Sequence, residues 1–169
     1  MSVTYRTAKP ADAPDLSDLG ARTFIDTFGH LYQPDDLALF LKTHTPEAWA
    51  KELADTAFAV RVAEYGGRMI GYAKLGPAHL PFEPRGEAAE LRQLYIIEEY
   101  KGAGIARTLI DWVIDRARDR RADHLYLSVF TENLRARRFY EKLGFEAEGR
   151  YAFMVGNHTD EDIVMRLKL

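Results

Sequence analysis

The chain contains no cysteine, which excludes disulfides, a thiolate nucleophile and any metal site built on Cys. It has no excess of positive charge: 23 Lys and Arg face 26 Asp and Glu, a net charge of −3 at neutral pH. No global basic field favours nucleic acid, so no nucleic-acid partner is expected. No apolar run approaches membrane-spanning length, and no basic-then-apolar leader opens the sequence. The expectation is no membrane contact and a cytoplasmic location. The five histidines fall at no metal-ligand spacing, so no metal is expected. Repeats, low-complexity segments and Ser/Gly linkers are missing as well. What remains is ordinary globular composition, 47% apolar and 29% charged over 169 residues, which predicts a single domain over 1–169 with a sizeable core.

One stretch organises the rest, Leu91 to Ile110. Leu94 to Ile97 is apolar and rich in β-formers, Glu98 to Lys101 is a short charged turn, Gly102 and Gly104 flank Ala103, and an amphipathic helix follows. A strand that feeds a Gly-rich turn and a helix N-terminus is an anion-binding device. Small residues let the backbone approach, and free N–H groups point outward along the helix dipole. The same spacing also fits a tight turn that binds nothing. A P-loop is disfavoured, because Ile105 and Ala106 follow Gly104 where Lys and Ser or Thr are needed. A dinucleotide fold is disfavoured too, since its Gly-rich turn follows the first strand and here roughly half the chain comes first.

Read in order, Val3 to Ala8 alternates as a first strand. Asp12 and Pro14 open a helix to about residue 28, with Leu16, Leu19, Thr23, Phe24 and Phe28 on one stripe. Pro34 starts a second helix, and Thr45-Pro46 a third. Phe58 to Val62 and Met69 to Leu75 form a hairpin about Gly66-Gly67, and 76–86 is a loop. A long strand from Ala88 to Ile97 precedes the Gly turn. The next helix buries Ile105, Leu109, Ile110, Val113, Ile114 and Ala117. A strand from His124 to Phe130, a helix from Asn133 to Leu143 stopped at Gly144, and strands over 145–155 and 163–167 finish the chain. The predicted order is β-α-α-α-β-β-β-α-β-α-β-β, a mixed α/β sheet with a central parallel pair.

Asn133 and Tyr140 lie seven residues apart, so they share one face of the helix that follows the His124–Phe130 strand. Asn133 offers amide hydrogen bonds at the helix start and Tyr140 a phenol deeper along the face. An N-cap and a core aromatic would look the same.

Together, Tyr100 to Ala106 and Asn133 with Phe139-Tyr140-Glu141-Lys142-Leu143-Gly144-Phe145 resemble the two motifs of the GNAT superfamily of N-acetyltransferases. Thr23-Phe24, Thr27 to Tyr32, and Val155-Gly156-Asn157 are similar to a subgroup near the bacterial polyamine acetyltransferases. The resemblance implies a GNAT-like fold whose central parallel strands splay apart, with acetyl-CoA as acyl donor. It implies that Lys101, Gly102, Ala103, Gly104, Ile105 and Ala106 cradle the pyrophosphate. The main chain of Leu94, Tyr95 and Ile96 would bind the pantetheine, Asn133 would touch the same arm, and Lys142 or Arg107 would reach an outer phosphate. One position departs from the motif. Glu99 stands where the family usually has Gln or Arg, and a carboxylate there is expected to turn into water.

Acetyl transfer from a thioester to an amine needs a free amine, a stabilised oxyanion and a proton for the thiolate. Tyr140 matches the family's general acid. Glu90, four residues before Leu94 and so expected on its face, is the candidate base, with an ion pair to Arg92 as the competing role. Phe28, His30 and Tyr32 are candidate acceptor-side residues, and Asp26, Glu83, Glu87 and Glu90 candidate acids for a polycation. The expected partner is a small-molecule amine. Dimers are common in the family, and the sequence locates no interface for a homodimer. Two other classes stay open: an acyl-CoA-binding sensor with the same fold, and a nucleotide-binding α/β protein.

Overall fold

The computed structural model describes residues 2–80 and 83–169. Its elements are β1 (Thr4–Thr7), α1 (Ala13–Phe28), α2 (Pro34–Leu41), α3 (Pro46–Leu53), β2 (Ala59–Tyr65), β3 (Arg68–Pro77), β4 (Ala88–Ile96), α4 (Ile105–Asp119), β5 (His124–Phe130), α5 (Leu134–Lys142), β6 (Glu146–Val155) and β7 (His158–Lys168). The order is the predicted mixed α/β one. Part of the predicted loop, residues 81 and 82, lies outside the described residues.

The strands form one seven-stranded sheet in the order β1-β2-β3-β4-β5-β7-β6. Among the described residues only β4 and β5 run parallel. β3 is buried from Ile70 to Gly76 because helices cover both of its faces. Tyr72 points toward α1 and α3, where its ring meets Trp49 at 5.2 Å. Gly20 in α1 makes room for it: a Cβ there would stand 2.8 Å from the Tyr72 hydroxyl. On the other face α4 lays down the apolar stripe read from its period, Ile105, Leu109, Ile110, Val113, Ile114 and Ala117, all buried. Each fully buried aliphatic side chain of this kind contributes about 1.5–3 kcal/mol relative to exposure.

Two irregularities shape the functional end of the sheet. The first is a β-bulge. Lys74 pairs with Gln93 and Leu75 with Leu91, so Arg92 is an extra residue in β4. A bulge bends its strand and increases the twist. The second is the parallel pair itself, which holds only from Ala88–Glu90 against His124–Tyr126. From Leu91 and Leu127 onward the strands part, and their facing edges keep peptide groups with no strand partner.

β7 begins at His158, five residues earlier than 163. The segment expected as a loop is a two-residue turn, Gly156-Asn157, with Gly156 at φ +60° and Val155 paired to His158. A Gly-led turn of this length closes a hairpin at once, so the ladder starts immediately after it.

Candidate active site

The gap between β4 and β5 is a cavity of about 450 Å³. One wall is β4 from Leu91 to Ile96, so Leu94, Tyr95 and Ile96 all line it. The opposite wall is Leu127 to Phe130 with Asn133, Phe139 and Tyr140. One end is the Gly turn: Lys101, Gly102, Gly104, Ile105 and Ala106 line it, and Ala103 is exposed between the two glycines.

Gly102 and Gly104 have φ of +83° and +82°, left-handed conformations that side-chain-bearing residues rarely adopt. Gly104 is the N-cap of α4, so the first N–H groups of a fifteen-residue helix emerge at the cavity's end. Gly104→Val strains that conformation by about 1–3 kcal/mol. The turn relieves the strain by leaving it, which disperses the N–H groups. A tenfold or greater loss of CoA affinity by calorimetry is the expected outcome.

Lys101 is ion-paired to Glu98 at 2.7 Å. Glu99 is exposed and does not line the cavity, as expected from its charge. Arg135, which the sequence reading passed over, lines the cavity, and its guanidinium lies 4.0 Å from where a Cβ on Gly102 would stand. Arg107 also lines the cavity but is paired to Asp111 at 3.0 Å. Lys142 does not line it.

Asn133 is the N-cap of α5: its side-chain oxygen accepts from the Ala136 N–H at 3.3 Å. That leaves its amide N–H groups for the cavity it lines. Tyr140 is 8% exposed, packed between Phe139 and Phe145. Burial, and then the neighbouring Tyr95, push its phenol well above the ordinary value, so it carries its proton throughout the neutral range. Among the described residues its hydroxyl has no hydrogen-bond partner.

A family model described as the acetyltransferase (GNAT) family matches residues 21–145. The chain belongs to the GNAT acetyltransferases. It is 35% identical over 157 residues to an uncharacterized N-acetyltransferase of Mycobacterium tuberculosis, covering 91% of this chain and 96% of that one. A spermine/spermidine N(1)-acetyltransferase of Bacillus subtilis is 28% identical over 92 residues, 53% of this chain and 60% of that protein. The PaiA N-acetyltransferase of Thermoplasma acidophilum, solved in complex with coenzyme A, superposes with a TM-score of 0.81 over 100% of both chains at 20% identity, which is a likeness of fold.

Within this GNAT fold the expected acceptor-side residues separate. Phe28 and Tyr32 line the cavity, whereas His30 is exposed and lies outside the lining. Asp26, Glu83 and Glu87 are exposed and outside it too.

The face expected for Glu90 is corrected by the bulge. Gln93 accepts from the Tyr72 hydroxyl at 2.7 Å and the Tyr95 ring meets the Tyr72 ring, so both point to the face of Tyr72. Glu90 pairs with Gly76, an even number of residues along β3 from Tyr72, and shares that face. Leu94 therefore lies on the other one, because Arg92 shifts the alternation by one residue. Glu90 is 3% exposed and does not line the cavity. It accepts from the His79 N–H at 3.0 Å, lies 2.8 Å from His79 Nδ1, and faces Arg92 at 3.8 Å. The ion-pair role weighed against catalysis is the one its contacts describe.

The acids that do line the cavity are Asp160 and Asp162 of β7, 8% and 6% exposed. Asp160 accepts from the Tyr32 hydroxyl and lies 3.1 Å from His158 Nε2. Asp162 is hydrogen-bonded to Ser128, and its carboxyl is pushed up to about 6, chiefly by burial and then by the charge of Asp160. The signal for both was the alternation Asp160, Asp162, Val164 on one strand face. A strand begun at 163 leaves both positions outside the ladder and hides that alternation.

Proposed function

We propose that this GNAT protein transfers acetyl from acetyl-CoA to a primary amine of a small molecule, polyamines included. The observation that carries the reading is the parting of β4 and β5 after three residue pairs. It opens strand edges of the kind an extended amide chain can join. The residues present fit the donor. The free peptide groups of Leu94 to Ile96 suit the amides of a pantetheine arm, and the left-handed glycines with the α4 N-terminus suit a diphosphate. Arg135 adds a guanidinium at the same end.

The chain's own chemistry then follows. A β4 N–H facing the thioester oxygen stabilises the charge that develops there. Tyr140 supplies a proton to the departing thiolate. Asn133 N–H groups steady the arm. The acceptor enters past Phe28 and Tyr32. The similarity to a Bacillus subtilis spermine/spermidine acetyltransferase supports an amine acceptor.

The test is release of free CoA thiol across alkylamines, polyamines, amino acids, aminoglycosides and peptide N-termini. Turnover with small amines or polyamines is the expected result. Turnover confined to peptide N-termini, or none at all, contradicts the reading.

A further inference from the structure

Asp162 is the cavity-lining acid whose charge is not met. It is buried to 6% exposure, and among the described residues no Lys or Arg pairs with it. A buried carboxylate without a cation is costly. The cost is offset when a cation docks against it, so the site is built for one. The wall beside it suits the rest of an alkyl ammonium: Phe24, Phe28, Tyr32 and Phe153 all line the cavity. Phe24 stacks on Tyr32 at 5.9 Å and tilts against Phe28 at 5.3 Å. Apolar stem and ammonium head are then both accommodated.

We propose that Asp162 takes the proton from the acceptor's alkyl ammonium, with Asp160 beside it helping to hold the cation. This rests on the acetyl-transfer reading above. Asp160 is fixed from two sides, by the Tyr32 hydroxyl and by His158, so it holds its place when the cation loses its charge. Among the described residues Asp162 has the Ser128 hydroxyl as its one hydrogen-bond partner and is the one free to accept. The titratable groups that face it are Asp160 on its own strand, Tyr151 on β6, Tyr95 on β4, and Tyr32 between α1 and α2. His158 acts through Asp160, and Glu90 stands beyond Tyr151. All the nearest partners are acids, phenols or a hydroxyl, so the carboxylate is a stronger base here than in water.

The step balances. One N–H bond of the ammonium breaks and its proton moves to Asp162, leaving a neutral amine. The nitrogen lone pair forms the C–N bond to the acetyl carbonyl carbon, and the C–S bond breaks. The Tyr140 proton goes to the thiolate, and the proton shed by the new amide nitrogen restores the phenol. Asp162 returns its proton to water, so one proton is released per turnover.

The test compares kcat/KM against pH for wild type, Asp162→Asn and Asp162→Glu, using spermidine and a weakly basic amine such as aniline, which is neutral at pH 7. The wild type should lose activity toward spermidine below an inflection near pH 6, and show no such limb with aniline. Asp162→Asn should lower kcat/KM for spermidine about 100-fold at pH 7, replace the inflection near pH 6 with a rise that continues toward the ammonium's own pKa of about 10, and leave aniline within tenfold. Asp162→Glu should keep the limb, and CoA affinity should be unchanged in both variants. An inflection near pH 6 that persists in Asp162→Asn, or equal losses on both amines, overturns the assignment and leaves acetyl transfer standing. The wild-type comparison of the two amines reads the same question without any variant: an identical acid limb for both overturns it. A wild type that releases no CoA with any amine overturns acetyl transfer and this assignment together.

Discussion

Tyr140→Phe is expected to lower kcat by about 10²–10⁴-fold, the range for losing a positioned proton donor. The substitution is a narrow one. The ring keeps its contacts with Phe139 and Phe145 at 5.3 and 5.6 Å, and the hydroxyl it loses serves no hydrogen bond among the described residues. Folding stability should change by less than about 1 kcal/mol, since no internal partner is orphaned. CoA affinity should stay within about twofold, because in the proposed mechanism the lost proton acts on the departing thiolate and not on the bound arm. Burial holds the phenol above its ordinary value near 10. The wild-type rate should therefore show no loss of the donor below about pH 10. Steady-state kinetics with a free-thiol readout measures all of this. An unchanged kcat in the variant removes Tyr140 as donor.

Asp162→Asn should make the protein more stable at neutral pH. The folded carboxyl titrates at about 6 against about 3.9 in the unfolded chain. Between these values the native state binds the extra proton, so native stability falls as pH rises from about 4 to about 6, and the whole penalty is present above that. The amide cannot ionise and escapes it. The variant should gain about 1–3 kcal/mol at pH 7.5, or about 2–10 °C in Tm, with the difference vanishing toward pH 4. Urea denaturation at the two pH values checks the sign. A gain that does not depend on pH, or a loss at pH 7.5, contradicts the account. Together with the expected activity loss, this would be the trade of stability for function that a buried, unpaired charge entails if it is the base proposed above.

Where the sequence period was strong and long, structure followed it. The α4 stripe is the buried set read from its spacing, and β5 spans the predicted residues. Gly102 and Gly104 were legible because a strand-to-helix turn needs the left-handed conformation that they adopt. The bulge at Arg92 was not legible. No glycine or proline marks it, and it arises from how β4 meets β3. Counting by twos through it put Glu90 on the face of Leu94, and the acid's actual neighbours are His79 and Arg92. Asp160 and Asp162 were missed for a local reason. Gly156-Asn157 is a two-residue hairpin turn, and treating its five-residue surroundings as loop turned two inward strand positions into surface ones. His30 was misplaced because a polar residue in a break between helices carries no period to say which way it faces.

The most direct measurement is a crystal structure with bound CoA. The account predicts pantetheine amides hydrogen-bonded to the main chain of Leu94 to Ile96, the diphosphate on the N–H groups at Gly102 to Ala106, and the sulfur beside the Tyr140 hydroxyl. A ligand bound elsewhere, or β4 and β5 closed onto each other with the turn empty, would contradict it.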